Sequence, residues 1–317
     1  MEYKLNRNSK IIIPGAAGLV GQNLIIQLKN KGYKNIVALD KHPKNVKVLK
    51  ELHNDIKVIE ADLSTNGEWE KEFKNADVVL MLQAQIGAPT IDPFIKNNIN
   101  STQIILDVIK RYKIPYLVHI SSSVVCSVAN DFYTNTKKEQ EKLVVESGIT
   151  HCILRPTLMF GWFDRKHLGW LSRFMEKVPV FPIPGNGKYL RQPLYEKDFC
   201  NVIISAMEKQ PKNEIYNITG REEIDYIDII RTIKKVKKLN TLILKIPYKL
   251  FNFLMWFYGL FSKNPPFTTQ QLEALIADDY FELIPWWEIF EVESTPFEKA
   301  MNETFNDPIY SKYVLEF

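Results

Sequence analysis

Apolar runs alternate with helix-like stretches along the first 123 residues. Lys10-Ile11-Ile12-Ile13-Pro14 is β-branched and ends in Gly15-Ala16-Ala17-Gly18-Leu19-Val20-Gly21, and residues 22–31 then carry a helical pattern. This predicts a strand, a tight turn and a helix start. Short buried strands are expected at residues 35–40, 56–63, 77–85 and 117–123, with a helix over 93–111. Strands alternating with helices predict an α/β fold with a doubly wound parallel sheet. From residue 162 the pattern changes. Pro179, Pro182, Pro184, Gly185 and Gly187, with aromatics between them, suggest a substrate-facing loop region over 162–188. Helices are expected over 198–209 and 225–238. There is no internal repeat and no low-complexity linker.

The glycine turn carries the first chemistry. Glycines at 15, 18 and 21 remove Cβ where the backbone turns, where a pyrophosphate approaches and where the helix packs on the strand. The helix N-terminus then offers free N–H groups to an anion. Asp40 closes the next strand, nineteen positions past Gly21. A carboxylate there accepts from ribose hydroxyls and repels a 2′-phosphate, which favours NAD over NADP. Lys41 and His42 follow and weaken that preference. The plainer reading of Asp40 is a strand-end turn residue.

Tyr133 and Lys137 stand four residues apart. On a helix that spacing puts both side chains on one face. An ammonium beside a phenol lowers the phenol's pKa, and such a phenol exchanges a proton with a substrate hydroxyl. A serine hydroxyl at the end of the neighbouring strand, Ser121-Ser122-Ser123, can hold the same oxygen. The set suits hydride transfer between a secondary alcohol and a nicotinamide. Alone, without the glycine turn, the pair reads first as an exposed helix turn.

Composition adds limits. The 317 residues are 45% hydrophobic and 25% charged, enough for one large domain or a domain and a lobe. A net charge of +4 gives no reason to expect nucleic acid. Cys126, Cys152 and Cys200 share no disulfide or metal spacing, and the five histidines are scattered, so no metal site and a reducing compartment are expected. The first nine residues lack the apolar core of a signal peptide, which points to the cytoplasm.

One C-terminal stretch stands apart. Residues 231–249 hold seven Lys or Arg and no acid, and the apolar, aromatic run 250–261 follows. Twelve residues are too few to span a bilayer, which takes roughly 20. Two readings stand side by side. The segment lies in an anionic membrane interface, at the inner face, or it packs against the lobe or a second copy. After Pro265-Pro266 the tail turns acidic and includes Pro285-Trp286-Trp287, for which packing is the only reading.

Together these features resemble the extended short-chain dehydrogenase/reductase superfamily, in its NAD-dependent epimerase/dehydratase branch. The matching stretches are the glycine turn, Asp40, Asp62-Leu63, Asp77-Val78-Val79, Asn98-Ile99-Asn100-Ser101-Thr102, Ser121-Ser122-Ser123, Tyr133 with Lys137, the run from Leu154-Arg155-Pro156 to Gly161, and Tyr216-Asn217-Ile218. The resemblance implies a Rossmann-type cofactor domain over 1–161 and a smaller α/β substrate lobe over 162–317, interleaved with it. It implies cofactor contacts from Gly15, Gly18, Leu19, Val20, Gly21, Asp40, Asp62, Leu63, Gln83, Ala84, Tyr133, Lys137 and Pro156. Ser123 would be the catalytic hydroxyl, Tyr133 the acid/base and Lys137 its partner. Arg191 would meet a substrate diphosphate; otherwise it is a surface ion pair. A nucleotide sugar, or a sugar on a polyprenyl diphosphate, would be the substrate, and a homodimer is common among relatives. Only nine residues separate Ser123 from Tyr133, shorter than in sugar epimerases. The short loop is similar to an atypical branch that includes the dehydrogenase-like accessory subunit of respiratory complex I. Two alternatives therefore stay open: a nucleotide-binding assembly protein without catalysis, and a simple NAD(P)-dependent reductase.

Overall fold

The strand Ile11–Pro14 (β1) is buried at every position. Ile11, Ile12 and Ile13 are covered from both faces, which is why the run shows no alternation of polar residues. It is flanked by Ile36–Asp40 (β2) and then Lys57–Glu60 (β3), and on its other side by Val78–Met81 (β4), Leu117–Ile120 (β5), His151–Pro156 (β6) and Glu214–Ile218 (β11). The computed structural model describes residues 4–261 and 281–316. Within them the seven strands form one parallel sheet in the order β11-β6-β5-β4-β1-β2-β3. The order reverses between β1 and β4, and ligands of such sheets bind outside the carboxyl ends at that point.

Helices cover both faces. Leu19–Asn30 (α1) packs with Glu196–Lys209 (α7) on one, through Leu24, Ile25 and Leu28 against Phe199, Val202 and Ile203. On the other, Ser101–Tyr112 (α4) and Phe132–Glu146 (α5) close over Ile12, Val79 and Ile153. Between β2 and β3 runs Pro43–Leu52 (α2). Asp131 starts α5 by accepting from the Thr134 N–H at 2.9 Å. Before α4, a short turn, Asp92–Phe94 (α3), runs into one wide π turn, Ile95–Asn100, of the kind found at functional sites. The predicted strands are shorter than expected: β3 ends at Glu60 and β4 at Met81, so Asp62, Gln83 and Ala84 sit on loops beyond the sheet edge.

The second lobe holds Met159–Phe160 (β7) on Leu194–Tyr195 (β10), Val180–Pro184 (β8) on Leu242–Ile246 (β13), and Leu190–Arg191 (β9) on Ile224–Asp225 (β12). Leu168–Met175 (α6), Tyr226–Val236 (α8) and the helix Phe297–Asn306 enclose its core around Phe160, Phe181, Ile230 and Met301. The expected loop over 162–188 therefore contains a helix and a strand. Asp164 organises the helix by accepting from the N–H groups of Lys166, His167 and Gly169. Pro182 and Pro184 are tolerated because β8 has a single partner strand. Although they follow the lobe's first residues in sequence, α7 and β11 belong to the sheet domain.

Trp286 is buried and its indole donates to the Thr219 carbonyl at 2.9 Å, a packing role. Tyr248–Phe261 (α9) spans the apolar run. Leu250, Phe253, Leu254, Trp256 and Phe257 face outward, so burial against the lobe is not how these side chains are satisfied. Among the described residues no helix is long and apolar enough to cross a membrane. Pro265 and Pro266 lie outside the described residues.

Candidate active site

The turn after β1 is built for glycine at two positions for different reasons. Gly15 has φ +81°, and a Cβ there would fall 2.5 Å from the Gln83 backbone nitrogen. At Gly21 a Cβ would fall 2.4 Å from the Ala16 carbonyl oxygen, where α1 crosses the turn. Gly18 differs: the nearest atom to its added Cβ is 3.4 Å away. Its side is open toward the helix N-terminus, and it caps α1 with no side-chain acceptor. The first-turn N–H groups, including those of Leu19 and Val20, are thus presented as an anion cradle.

Asp40 stands at the end of β2 against this turn. One carboxylate oxygen accepts from the Ala17 N–H at 2.9 Å and the other from His42 N–H at 3.0 Å. Burial raises its pKa, and the N–H groups of His42, Ala17 and Lys41 pull it back. The neighbouring cation is already committed: Lys41 donates to Asn97 at 2.5 Å and lies 3.9 Å from Asp62. The His42 ring accepts from the Asn45 N–H and caps α2. Asp62 accepts from both the N–H and hydroxyl of Ser64 and pairs with Lys96 at 2.9 Å, and those partners outweigh burial to hold its carboxyl low. Leu63 is buried beneath it.

At the carboxyl end of β5 the chemistry gathers. Lys137 is fully buried. Its ammonium donates to the Ile120 carbonyl at 3.0 Å and to Gln140 Oε1 at 2.5 Å. Gln140 in turn donates to the Gln83 carbonyl at 3.3 Å and to the Thr102 hydroxyl at 2.9 Å. A continuous polar network therefore runs from the glycine turn's neighbour, Gln83, to the lysine. Burial pushes the Lys137 pKa down to about 7, with Glu141 opposing.

Tyr133 lies one helical turn away. Burial raises its phenol, the Ser122 hydroxyl hydrogen-bonds it and lowers it, and Asp131 raises it again. Ser122 acts on the phenol and accepts from the Val124 N–H at 3.4 Å, and Ser123, itself buried, opens a short 3-10 turn, Ser123–Cys126. The β5 strand ends at Ile120, but the backbone is still extended at Ser122, and the turn begins at Ser123. The Lys137 ammonium itself is directed at the Ile120 carbonyl and Gln140.

Other groups fix this arrangement. Arg155, on β6, donates two hydrogen bonds to Glu141 of α5, one at 3.0 Å, and reaches Cys126 Sγ at 3.5 Å. Pro156 ends β6 one strand over from β5. Asn98, on the π turn, is fully buried; it accepts from the Gln85 N–H at 2.6 Å and donates to Thr136 at 3.0 Å, tying the β4 loop to α5. Sequence reasoning assigned no role to Asn98 or Gln140. The clue was present in Gln140, a polar residue three past Lys137 on the inward face. Arg191 lies in the other lobe on β9; its guanidinium donates to the Leu190 carbonyl at 2.6 Å and lowers the neighbouring Tyr226 phenol against burial.

The open helix N-terminus at Gly18, the acid at the end of β2 and the serine, phenol and lysine along one sheet edge have the chemistry that a dinucleotide-dependent oxidoreductase needs, and the open face at Gly18 and the committed Lys41 fit NAD. A family model, the NAD dependent epimerase/dehydratase family, matches residues 11–219. The chain belongs to that family, and as a member it is an NAD-dependent enzyme of the extended short-chain dehydrogenase type.

Among curated relatives, the decarboxylating sterol-4-alpha-carboxylate 3-dehydrogenase of Schizosaccharomyces pombe is 23% identical over 308 residues, covering 87% of this chain and 90% of its own. The dTDP-glucose 4,6-dehydratase of Escherichia coli is 22% identical, covering 77% and 80%. Among solved structures, UDP-glucuronic acid 4-epimerase from Bacillus cereus with NAD superposes with a TM-score of 0.66 at 27% identity, over 75% of this chain and 87% of that one. DesIV, a dTDP-glucose 4,6-dehydratase from Streptomyces venezuelae, gives 0.73 at 14% identity over 94% and 97%, a likeness of fold.

Proposed function

We propose that the protein oxidises a secondary hydroxyl of a sugar carried on a diphosphate. NAD, when bound, supplies the hydride acceptor and, in an epimerase, gives the hydride back. The Tyr133 side chain, in its phenolate form, takes the proton of the substrate hydroxyl as the C–H bond on the same carbon breaks. Ser122, rather than Ser123, holds that hydroxyl by a second hydrogen bond. Lys137 keeps positive charge beneath the site and, with Gln140, fixes the helix turn that carries Tyr133. Gly15, Gly18, Gly21, Leu19 and Val20 cradle the pyrophosphate, and Asp40 receives the ribose. Asp62, Leu63, Gln83, Ala84 and Pro156 complete the cofactor's surroundings. The single observation that carries the reading is the fully buried Lys137, held by the Ile120 carbonyl at the end of β5, one helical turn from Tyr133 on α5.

Arg191 is the proposed diphosphate clamp, since a guanidinium fork matches phosphate oxygens. The relatives' names favour this substrate class: UDP-glucuronic acid and dTDP-glucose enzymes stand among them. A nucleotide sugar and a polyprenyl-diphosphate sugar present the same diphosphate, and peripheral attachment to a membrane fits the second carrier. A homodimer is part of the same reading.

The test is turnover of UDP- and dTDP-sugars followed by proton NMR of the sugar and by absorbance of the reduced nicotinamide. An inverted ring carbon without net cofactor reduction supports the epimerase form, and a 4-keto-6-deoxy sugar the dehydratase form. Stoichiometric cofactor reduction moves the assignment to a dehydrogenase, a reading that the sterol dehydrogenase relative favours. No turnover of any diphosphate sugar by NAD-loaded protein would reject the substrate class.

A further inference from the structure

Helix α9 carries its apolar stripe on the wrong side for a buried helix. Phe251 points inward and is buried, while Leu250, Phe253, Leu254 and Phe257 stand at i, i+3, i+4 and i+7 on the outward face. Together with Trp256 they are 45% to 56% exposed. Their rings pack on one another, Phe253 with Phe257 at 6.3 Å and with Trp256 at 6.0 Å, and so form a continuous aromatic surface. The preceding strand extends it: Leu242 and Leu244 of β13 are also exposed.

The cations beside this surface decide what it fits. Lys249 precedes Leu250 and shares a helix face with Phe253 and Trp256, and Lys245 is exposed at the end of β13. A shallow groove next to β13 is lined by Arg231, Lys234, Lys235, Lys238, Leu239 and Ile243. Part of this charge is neutralised: Arg231 pairs with Asp228, Lys235 with Glu298 and Lys237 with Glu176. Lys234, Lys238, Lys245 and Lys249 make no ion pair with any described residue, and residues 231–249 contain no acid. An apolar, aromatic stripe edged by uncompensated lysines complements a surface that is apolar inside and anionic outside.

We infer that α9 and the basic end of α8 form a docking surface for an anionic lipid bilayer. Phe253, Leu254, Trp256 and Phe257 enter the acyl boundary while Lys238, Lys245 and Lys249 lie on the headgroups. The inference stands on this surface alone and does not depend on the catalytic reading. The surface does share the substrate lobe with Arg191: β13 pairs along β8, and the Gly185 N–H after β8 donates to the Ile246 carbonyl at 2.7 Å.

The test is co-sedimentation of the full chain with phosphatidylcholine vesicles that contain or lack phosphatidylglycerol, at low and at raised salt. The protein is expected to pellet with the anionic vesicles and to be released by salt. The triple change Lys238→Gln, Lys245→Gln, Lys249→Gln should weaken binding roughly 100-fold. The double change Phe253→Ser, Phe257→Ser should weaken it at least about tenfold. All five positions are exposed, and an unchanged thermal melt checks the fold; if the phenylalanine pair fails that check, the lysine set carries the test. Three results would each overturn the inference: protein left in the supernatant with anionic vesicles, equal binding to both vesicle types, or unaltered binding by a folded variant. So would light scattering that shows a dimer split by the phenylalanine changes in protein that binds no vesicles, since a second copy would then own the face.

Discussion

Lys137 and Gln140, three residues apart on α5, meet at 2.5 Å in a fully buried setting, and Gln140 spends its amide hydrogens on Gln83 and Thr102. The charged form of the lysine is therefore supported by the Gln140 amide oxygen and one carbonyl, while burial brings its pKa down to about 7. Gln140→Leu removes that acceptor. The charged form loses support, so the Lys137 pKa falls further and the protonated fraction at neutral pH drops. The alkaline limb of the kcat/KM profile should move toward lower pH, and stability should fall by about 1–3 kcal/mol. An unmoved limb with a lower melting temperature would leave Gln140 a structural role alone.

Tyr133→Phe keeps the ring that packs at the edge and removes the proton acceptor. Turnover should fall by about 10²–10⁴-fold, the usual contribution of a positioned acid/base, while NAD affinity by titration calorimetry stays within a few-fold. Retained turnover would displace Tyr133 from the mechanism.

The serine pair separates two assignments. Ser122 is the hydroxyl that lowers the Tyr133 phenol, and it is proposed to hold the reacting oxygen. Ser122→Ala should lower kcat by roughly 10–100-fold, as loss of a hydrogen bond to a reacting group does. Ser123→Ala should leave kcat within about threefold, because that side chain lies buried in the turn. The reverse order would give the role to Ser123.

The glycines differ in what they tolerate. A Cβ at Gly21 collides with the Ala16 carbonyl at 2.4 Å, so Gly21→Ala should cost about 1–3 kcal/mol of folding stability. At Gly18 the nearest atom is 3.4 Å away, so Gly18→Ala should fold normally and bind NAD more weakly. Chemical denaturation and cofactor titration distinguish the two.

What the sequence carried and what it withheld follow from the range of the interactions. The β-branched run, the glycine spacing and the acid nineteen residues on are local, and they place β1, α1 and the acid that ends β2 from the sequence alone. The role of each serine depends on where the turn after β5 begins, a boundary of one residue that period-two patterning does not resolve. Likewise the phenol's pKa depends on where the lysine's three donors go, and those partners, Ile120 and Gln140, are a matter of tertiary packing. Pro182 and Pro184 made residues 162–188 look like a loop because a strand with one neighbour tolerates proline and a pattern does not say how many neighbours a strand has. The outward stripe of α9 was legible as apolar, but its facing was not.

Glu196 gives the last prediction. It opens α7, is fully buried, and neither carboxylate oxygen has a hydrogen-bond partner among the described residues. Burial, with Asp164 adding to it, raises its pKa to about 8. The folded protein thus holds a proton that the unfolded chain, at the ordinary value of 4.5, gives up. With fewer protons bound in the unfolded state, stability must fall as pH rises from about 4.5 through about 8. Its contribution is fully present below that window and lost above it. Asp198, raised to about 6 mainly by burial, adds to the same slope at its lower end. Glu196→Gln keeps the shape and cannot ionise, so the melting temperature should change less between pH 5 and 9 in the variant, and at pH 9 the variant should be the more stable by roughly 1–3 kcal/mol. A variant with the wild-type slope would mean that the carboxyl is ionised and solvated in the folded state.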